Sequence, residues 1–498
     1  MVTMPPAPTT VLNPYFSDVF GVDPEDLEAY GAFNISLLAD LPLFIDPFLL
    51  FTSENPMYRG LHAEIVRYVC FLRDKAASQE IDDGLLHAWF VFREVKQTWL
   101  GYAREGNRGS GLGMGFARAL QENLHSVFKD FGAETVTRGS HLEKLCLVRD
   151  GVGKDNISDF TTNLIMGFLA RYTETFARES VPPEFRRPVK VPRCRFDYEC
   201  QVWAAETFEL PWYADVRDYV LLTPKDILTR DETWINRPDL LDHVEQVIAA
   251  VPNEQARAQF NNYFRSLLPE IPKKKDRRAA AGDVLRKYPE IADVYIRLKE
   301  DGGEEAQSVA DQRVADSVRR YITGVRELSG ALLAQTAFYT VPRDTLAEAR
   351  SRVAYLKHVI EDQDGYRIFY ADGRPIEREK DVQILFQLVW YGSPSSVDRE
   401  VNNGRGPVDF KISRGRADKT LVEFKLAKNT KLRQNLVNQV AIYQRANDTE
   451  KALKVIVYFS EGELSRVNSI LKDVGLLDDP SIVLIDARSD NKPSGSVA

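Results

Sequence analysis

Asp409, Glu423 and Lys425 stand inside two short runs, 408–412 (VDFKI) and 421–426 (LVEFKL), that otherwise read as hydrophobic strands. A charge within a strand is tolerable where it faces water and costly where it faces a core. Side chains alternate faces along a strand, so Val408, Phe410 and Ile412 share one side and Asp409 the other. By the same parity Glu423 and Lys425 oppose Val422, Phe424 and Leu426. A hairpin that sets Ile412 against Thr420 carries Asp409 opposite Glu423, and directly opposed Cβ atoms lie ~4.5–5.5 Å apart. Two carboxylates at that separation repel unless a cation lies between them. Hard oxygen ligands select Mg²⁺ or Mn²⁺. Lys425, on the same face, can orient or help deprotonate an attacking water and steady negative charge in a transition state. The expectation is a wet groove holding two acids and an amine. A slip of one residue would turn all three inward, so the apolar pattern pins the register.

The surroundings are cationic. The chain carries a net charge of −8, yet residues 402–445 hold ten lysines and arginines against three acids. That is a local +7 on a remainder of −15. A positive island on an acidic body reads as a local polyanion site, with Arg405 and Lys411 within it. Lys428, Lys431 and Arg433 fall near the start of the next helical run, where a helix N-terminus favours phosphate. Gln439 and Tyr443, four apart in that run, share one side of a helix.

The elements that position these residues are legible by period. Residues 379–392 read as a helix, 396–401, 406–412 and 420–426 as strands, and 431–447 as a helix. Then come a strand at 451–460, a helix at 462–475 and a strand at 481–488. The order αβββαβαβ predicts an α/β domain over 364–490, with a frayed tail at 491–498. Before it, 1–270 reads as a large, mainly helical (α+β) domain. Helices are expected near 61–77 and 111–132, a long one over 157–177 capped by Ser158 or Asp159, and a buried strand at 218–228. The stretch IPKKKDRRAAAGD (271–283) is a composition shift that predicts a basic linker, the first part of a connecting region over 271–363. At 498 residues, two or three domains are expected.

Other signals are weaker. Asp46 lies in an apolar run, and His141, Glu143, Asp155 and Asp159 cluster in sequence; caps and turns account for most of them. Cys70, Cys146, Cys194 and Cys200 are scattered without a zinc pattern, which predicts free thiols in a reducing cytoplasm. GSGLGMGFA lacks the Lys-Ser/Thr of a phosphate-binding loop. No apolar run approaches the ~18 residues that span a bilayer, and the N-terminus lacks a secretory pattern. These readings predict a cytoplasmic protein with no membrane partner, and leave a homo-oligomer open.

Asp409 followed by VEFK, with Glu423 and Lys425 fourteen and sixteen residues later, resembles the PD-(D/E)xK nuclease superfamily. QVAIY resembles the Q-x-x-x-Y motif of its exonuclease branch. The resemblance covers about 364–490 and implies a restriction-endonuclease-like fold, a mixed central sheet flanked by helices. It implies Mg²⁺-dependent phosphodiester hydrolysis of DNA, with Asp409 and Glu423 as metal ligands and Lys425 and Gln439 in catalysis. Members of the family often add a glutamate ligand: Glu379 is the candidate here and Glu400 the alternative. The proline that usually precedes the first aspartate is replaced by Val408. The block SHLEKLCL…GVGKDNISDFTTNLI also resembles a module of uncharacterised bacterial defence-type proteins, which implies an anti-phage role. Two other readings compete: a non-catalytic nucleic-acid-binding protein, and an activity housed around Asp155 and Asp159.

Overall fold

The alternating apolar residues of the last third build the centre of a five-stranded sheet. Its strands in chain order are β1 (Ser396–Arg399), β2 (Phe410–Arg414), β3 (Asp418–Leu426), β4 (Ala452–Tyr458) and β5 (Ile482–Asp486). They lie in the order β5-β4-β3-β2-β1. The β3–β4 and β4–β5 pairs are parallel, while β2–β3 and β1–β2 are antiparallel. The computed structural model describes residues 14–78, 80–101, 113–124, 127–148, 152–339, 344–371, 373–390, 396–399, 409–414, 418–439, 449 and 451–492. In the β2–β3 register Ile412 faces Thr420 and Phe410 faces Val422, the pairing that the apolar parity requires. Every residue of β3 from Thr420 to Leu426 is buried, as expected of a strand covered on both faces.

The helices that matter for the site are α1 (Gly303–Val318), α2 (Thr345–Asp362), α3 (Glu379–Trp390) and α4 (Glu461–Asp473). The Asp344 carboxylate caps α2 by accepting from the N–H groups of Leu346 and Ala347, two of the donors a helix start leaves unpaired. The sequence-based reading assigned α2 to a connecting region, but it docks on the sheet. Thr345 Oγ1 donates to Asp418 (2.7 Å), Lys357 Nζ to the Leu484 carbonyl (2.7 Å), and Asp486 N–H to Glu361 (2.7 Å). Helix α3 buries every residue from Asp381 to Trp390. Phe386 stacks on Phe424 with ring centroids 3.9 Å apart, and Trp390 and Phe424 both pack against Phe410.

The N-terminal part is mainly helical. Helix Pro56–Ser78 buries Tyr58, His62, Ile65, Val69 and Leu72, a stripe at helical spacing. A long hairpin, Arg186–Asp197 with Val202–Tyr213, packs on helix Met166–Ser180. Gly167 permits that contact: a Cβ there would stand 2.4 Å from the Cys194 carbonyl oxygen.

Four expectations give way. The single helix over 157–177 is two, Lys154–Leu164 and Met166–Ser180, broken at Ile165. Ser158 and Asp159 lie inside the first instead of capping it, and Ser158 Oγ accepts the Ile45 N–H (3.0 Å). Among the described residues, the helix in 111–132 spans Met114–Asn123. In 218–228 only Asp218–Tyr219 and Leu228 join strands, and Val220, Leu221 and Leu222 are buried off the ladder. The stretch read as a linker is helix Lys274–Lys287, which buries Ala280, Ala281, Val284 and Leu285 and pairs Arg277 with Glu245 (2.6 Å). Its basic face masked an apolar one. One apolar cluster of buried residues runs from Tyr15 to Ala487. The chain is a mixed α/β protein, mainly helical, with this mixed sheet near its C-terminus and smaller sheets elsewhere. Among the described residues no helix is long and apolar enough to cross a membrane.

Phe424 ties the sheet to α3, so Phe424→Ala is expected to destabilise the protein by about 3–5 kcal/mol. A lowered urea midpoint checks this, and an unchanged midpoint would show that α3 does not depend on that ring.

Candidate active site

The site forms where β2 stops. The described β2–β3 ladder ends at Phe410 and Val422, and beyond that point no described residue pairs as a strand with β3 on the β2 side. Asp409 lies there. Its carboxylate accepts the Phe424 N–H (2.7 Å) and the Gln383 side-chain amide of α3 (2.7 Å). Continuing the register does bring Asp409 level with Glu423, but its carboxylate turns toward the β3 backbone instead of standing free above the face.

Lys425 lies between two acids. Its Nζ is 3.5 Å from Asp409 Oδ2 and 3.7 Å from Glu379 Oε2. Glu379, at the start of α3, also accepts from the Leu426 N–H (3.3 Å) and from Asn429 Nδ2 (3.2 Å). The expected wet groove is not observed: Asp409, Glu423 and Lys425 are 6, 5 and 8% exposed. Desolvation therefore acts on every charge here. Burial, and then the nearby Asp409 charge, push the Glu423 carboxyl up to about 7, against the opposing pull of Lys425 and Lys454. Burial likewise raises Glu379, assisted by Asp409. Burial alone would lower the Lys425 ammonium, but Asp409, Glu379 and Glu423 outweigh it and raise it. Lys425 is thus a fixed cation at neutral pH. No described residue donates a hydrogen bond to the Glu423 carboxylate.

Among the described residues no three His, Cys, Asp or Glu side chains converge to hold a metal ion. Glu379 is engaged by Lys425 and Asn429, and Asp409 by Gln383, the Phe424 N–H and Lys425; a divalent ion would draw on the Asp409–Glu423 pair plus solvent or substrate oxygens. Of the basic residues, Lys431 and Arg433 are exposed. Lys411 is half-buried in β2, and Lys428 donates to the Ile376 carbonyl (3.2 Å). Gln439 closes a π-helical turn, Asn435–Gln439, that follows Leu432–Gln434. Glu400, Arg405 and Tyr443 lie outside the described residues. Asp46 caps helix Pro47–Thr52 and accepts the Trp234 N–H (2.7 Å). His141 pairs with buried Glu300 (2.9 Å), and burial followed by Asp155 pushes Asp159 up to about 8.

Three site residues escaped the sequence reading: Asn429, which donates to Glu379, together with Gln383 and Lys454. Gln383, which holds Asp409, is four residues beyond Glu379 and so shares its helix face. Lys454 sits beside Glu423 in the parallel β3–β4 register and is itself buried, its Nζ donating to the Leu436 carbonyl (3.1 Å). A lysine inside the apolar run of β4 carried the same parity signal as Glu423.

Residues 21–236 match a family model described as a domain of unknown function (DUF8370), and residues 345–461 match another described as a domain of unknown function (DUF8371). The second match takes in α2, α3 and strands β1 to β4 together. No curated protein and no solved structure matches the chain.

The Glu423 shift has a sign. The folded carboxyl titrates near 7 against an ordinary 4.5. Its contribution to stability is therefore fully present below about 4.5 and lost as pH rises through about 7. In EDTA, the thermal midpoint of the wild type should fall more steeply between pH 5 and 8 than that of Glu423→Gln. Taking the difference between the two proteins cancels other buried acids such as Glu143 and Asp159. Parallel curves would show that Glu423 titrates normally.

Proposed function

We propose that the chain is a Mg²⁺-dependent nuclease that hydrolyses phosphodiester bonds of DNA through a PD-(D/E)xK-type centre. The observation that carries this reading is the convergence of Asp409, Glu423 and Lys425 at the end of β2, with Lys425 Nζ 3.5 Å from Asp409. The donor set fits a hard divalent cation. Glu423 is a buried carboxylate without a hydrogen-bond donor among the described residues and lies within reach of the Asp409 charge, and two carboxylates with water complete an Mg²⁺ shell. When bound, the ion supplies Lewis acidity to a phosphate oxygen and acidity to its water.

The protein's own groups divide the remaining work. Gln383 and the Phe424 N–H fix Asp409. Lys425, held as an ammonium, stabilises the charge that grows on the phosphate oxygens as water oxygen bonds to phosphorus and the P–O ester bond breaks. Its raised proton affinity favours this electrostatic role over that of a base. Glu379 and Asn429 keep that ammonium in place. Lys431 and Arg433 offer exposed cations for the flanking backbone.

The test is cleavage of plasmid and linear DNA in Mg²⁺. Asp409→Ala and Lys425→Ala are each expected to lose at least about 100-fold in rate, EDTA to abolish cutting, and Asp159→Ala to retain it. Undiminished cutting by either site variant would refute the assignment, and loss only in Asp159→Ala would move the activity to the N-terminal part. Salt-sensitive binding that survives EDTA, with no cutting by the wild type, would mark a binding protein instead. An anti-phage role requires that plaque counts fall with the wild type and recover with Asp409→Ala.

A further inference from the structure

We infer that a polar cavity beside the start of α3 is a binding site for a small phosphate-bearing anion. The cavity has a volume of about 590 Å³, within the range of small-molecule sites. Five arginines line it: Arg230, Arg313, Arg320, Arg374 and Arg378. They come from separated stretches of chain: the strand Leu228–Arg230, helix α1, the π-helical turn Arg319–Thr323, and the residues that lead into α3.

The acids present do not satisfy them. Arg378 makes a tight pair with Asp231 (2.7 Å). Arg313 donates to the Glu232 carbonyl (2.7 Å), and the remaining carboxylate contacts are loose: Arg230 lies 3.4 Å from Asp231 and 3.9 Å from Asp316, and Arg320 lies 3.5 Å from Asp381. Hydrogen bonds to oxygen fall at about 2.7–3.2 Å. Arg230 Nη1 and Arg320 Nε are buried with no hydrogen-bond partner among the described residues, and the Arg320 side chain is only 7% exposed. Glu377 is the fourth acid on the wall, so the arginines exceed the acids by one. A buried guanidinium with open donors is costly, and its planar fork matches the oxygens of a phosphate. The arginines meet around a recess and do not run along a stripe. That shape suits a compact anion, whereas a nucleic-acid strand needs an extended basic track.

The site is separate from the carboxylate–lysine centre and independent of the nuclease reading, yet α3 joins the two. Asp381 faces the cavity and accepts from Tyr321 (2.7 Å). Glu379 and Gln383, two residues to either side, hold Lys425 and Asp409. An occupant would therefore sit against the helix that orients that centre.

Calorimetric titration of the full chain with sodium pyrophosphate and with ATP, in EDTA and at constant ionic strength, tests the proposal. Saturable binding of at least one of the two is expected. It should weaken about tenfold or more in Arg320→Gln, where charge-assisted hydrogen bonds are lost, and also in Arg374→Ala, an exposed rim position whose loss spares the fold. Asp409→Ala should bind like the wild type, whether or not the chain cuts DNA. Heats no greater than those of matched sodium chloride would overturn the inference, as would binding that both arginine variants leave intact. A DNA oligonucleotide that binds in an Arg320-dependent way where pyrophosphate and ATP fail would overturn the small-anion assignment.

Discussion

An ammonium lodged between two acids, Asp409 at 3.5 Å and Glu379 at 3.7 Å, is the constraint around which the C-terminal part is organised. Lys425 and Asp409 have been taken out of water and Glu379 partly so, and a buried charge without a partner is strongly unfavourable. Lys425 offsets the desolvation of both acids, and they in turn keep it protonated. Glu423 is the member left over. It is buried among the same charges without a hydrogen-bond donor of its own, which is why its carboxyl is driven toward neutrality. A cluster balanced in this way has one unmet electrostatic demand, and that demand is for positive charge.

Helix α3 is the element on which this balance rests. Being buried over nearly its whole length, it has no solvent face to spare. Its aromatic residues lock onto Phe424 and Phe410, which sets its height over the sheet. With the height set, Glu379 and Gln383 reach the edge of β3 where the β2 ladder ends, and Asp381 reaches the opposite way toward Arg320 and Tyr321. The continuous core that joins the N-terminal helices to the sheet means that this helix cannot shift without disturbing both. Such coupling is a property of close-packed interiors.

Much of the C-terminal architecture was legible from period alone. The strands at 396–399, 410–414, 418–426, 452–458 and 482–486, and the helices at 379–390 and 461–473, fall where apolar spacing puts them. The faces shared across β2 and β3 follow from parity, because a slip of one residue would part Phe410 and Ile412 from Val422 and Phe424. Period failed where burial is uniform. The run 157–177 is apolar enough to read as one helix, and nothing local announces the break at Ile165. The stretch 274–287 failed for the opposite reason, since its lysines and arginines hid the small apolar face it packs inward.

By itself, then, the sequence determined which side of each strand carries charge, and therefore that Asp409, Glu423 and Lys425 belong to one neighbourhood. Tertiary structure alone decided that this neighbourhood is buried, that the Asp409 carboxylate turns to accept from the β3 backbone at Phe424, and that Glu379 serves Lys425. It also decided which arginines, spread over more than a hundred residues of the chain, gather around one cavity. The reason is physical. Alternation is a local property of the extended backbone, whereas burial and the partner of a buried charge depend on whatever the rest of the chain packs against it.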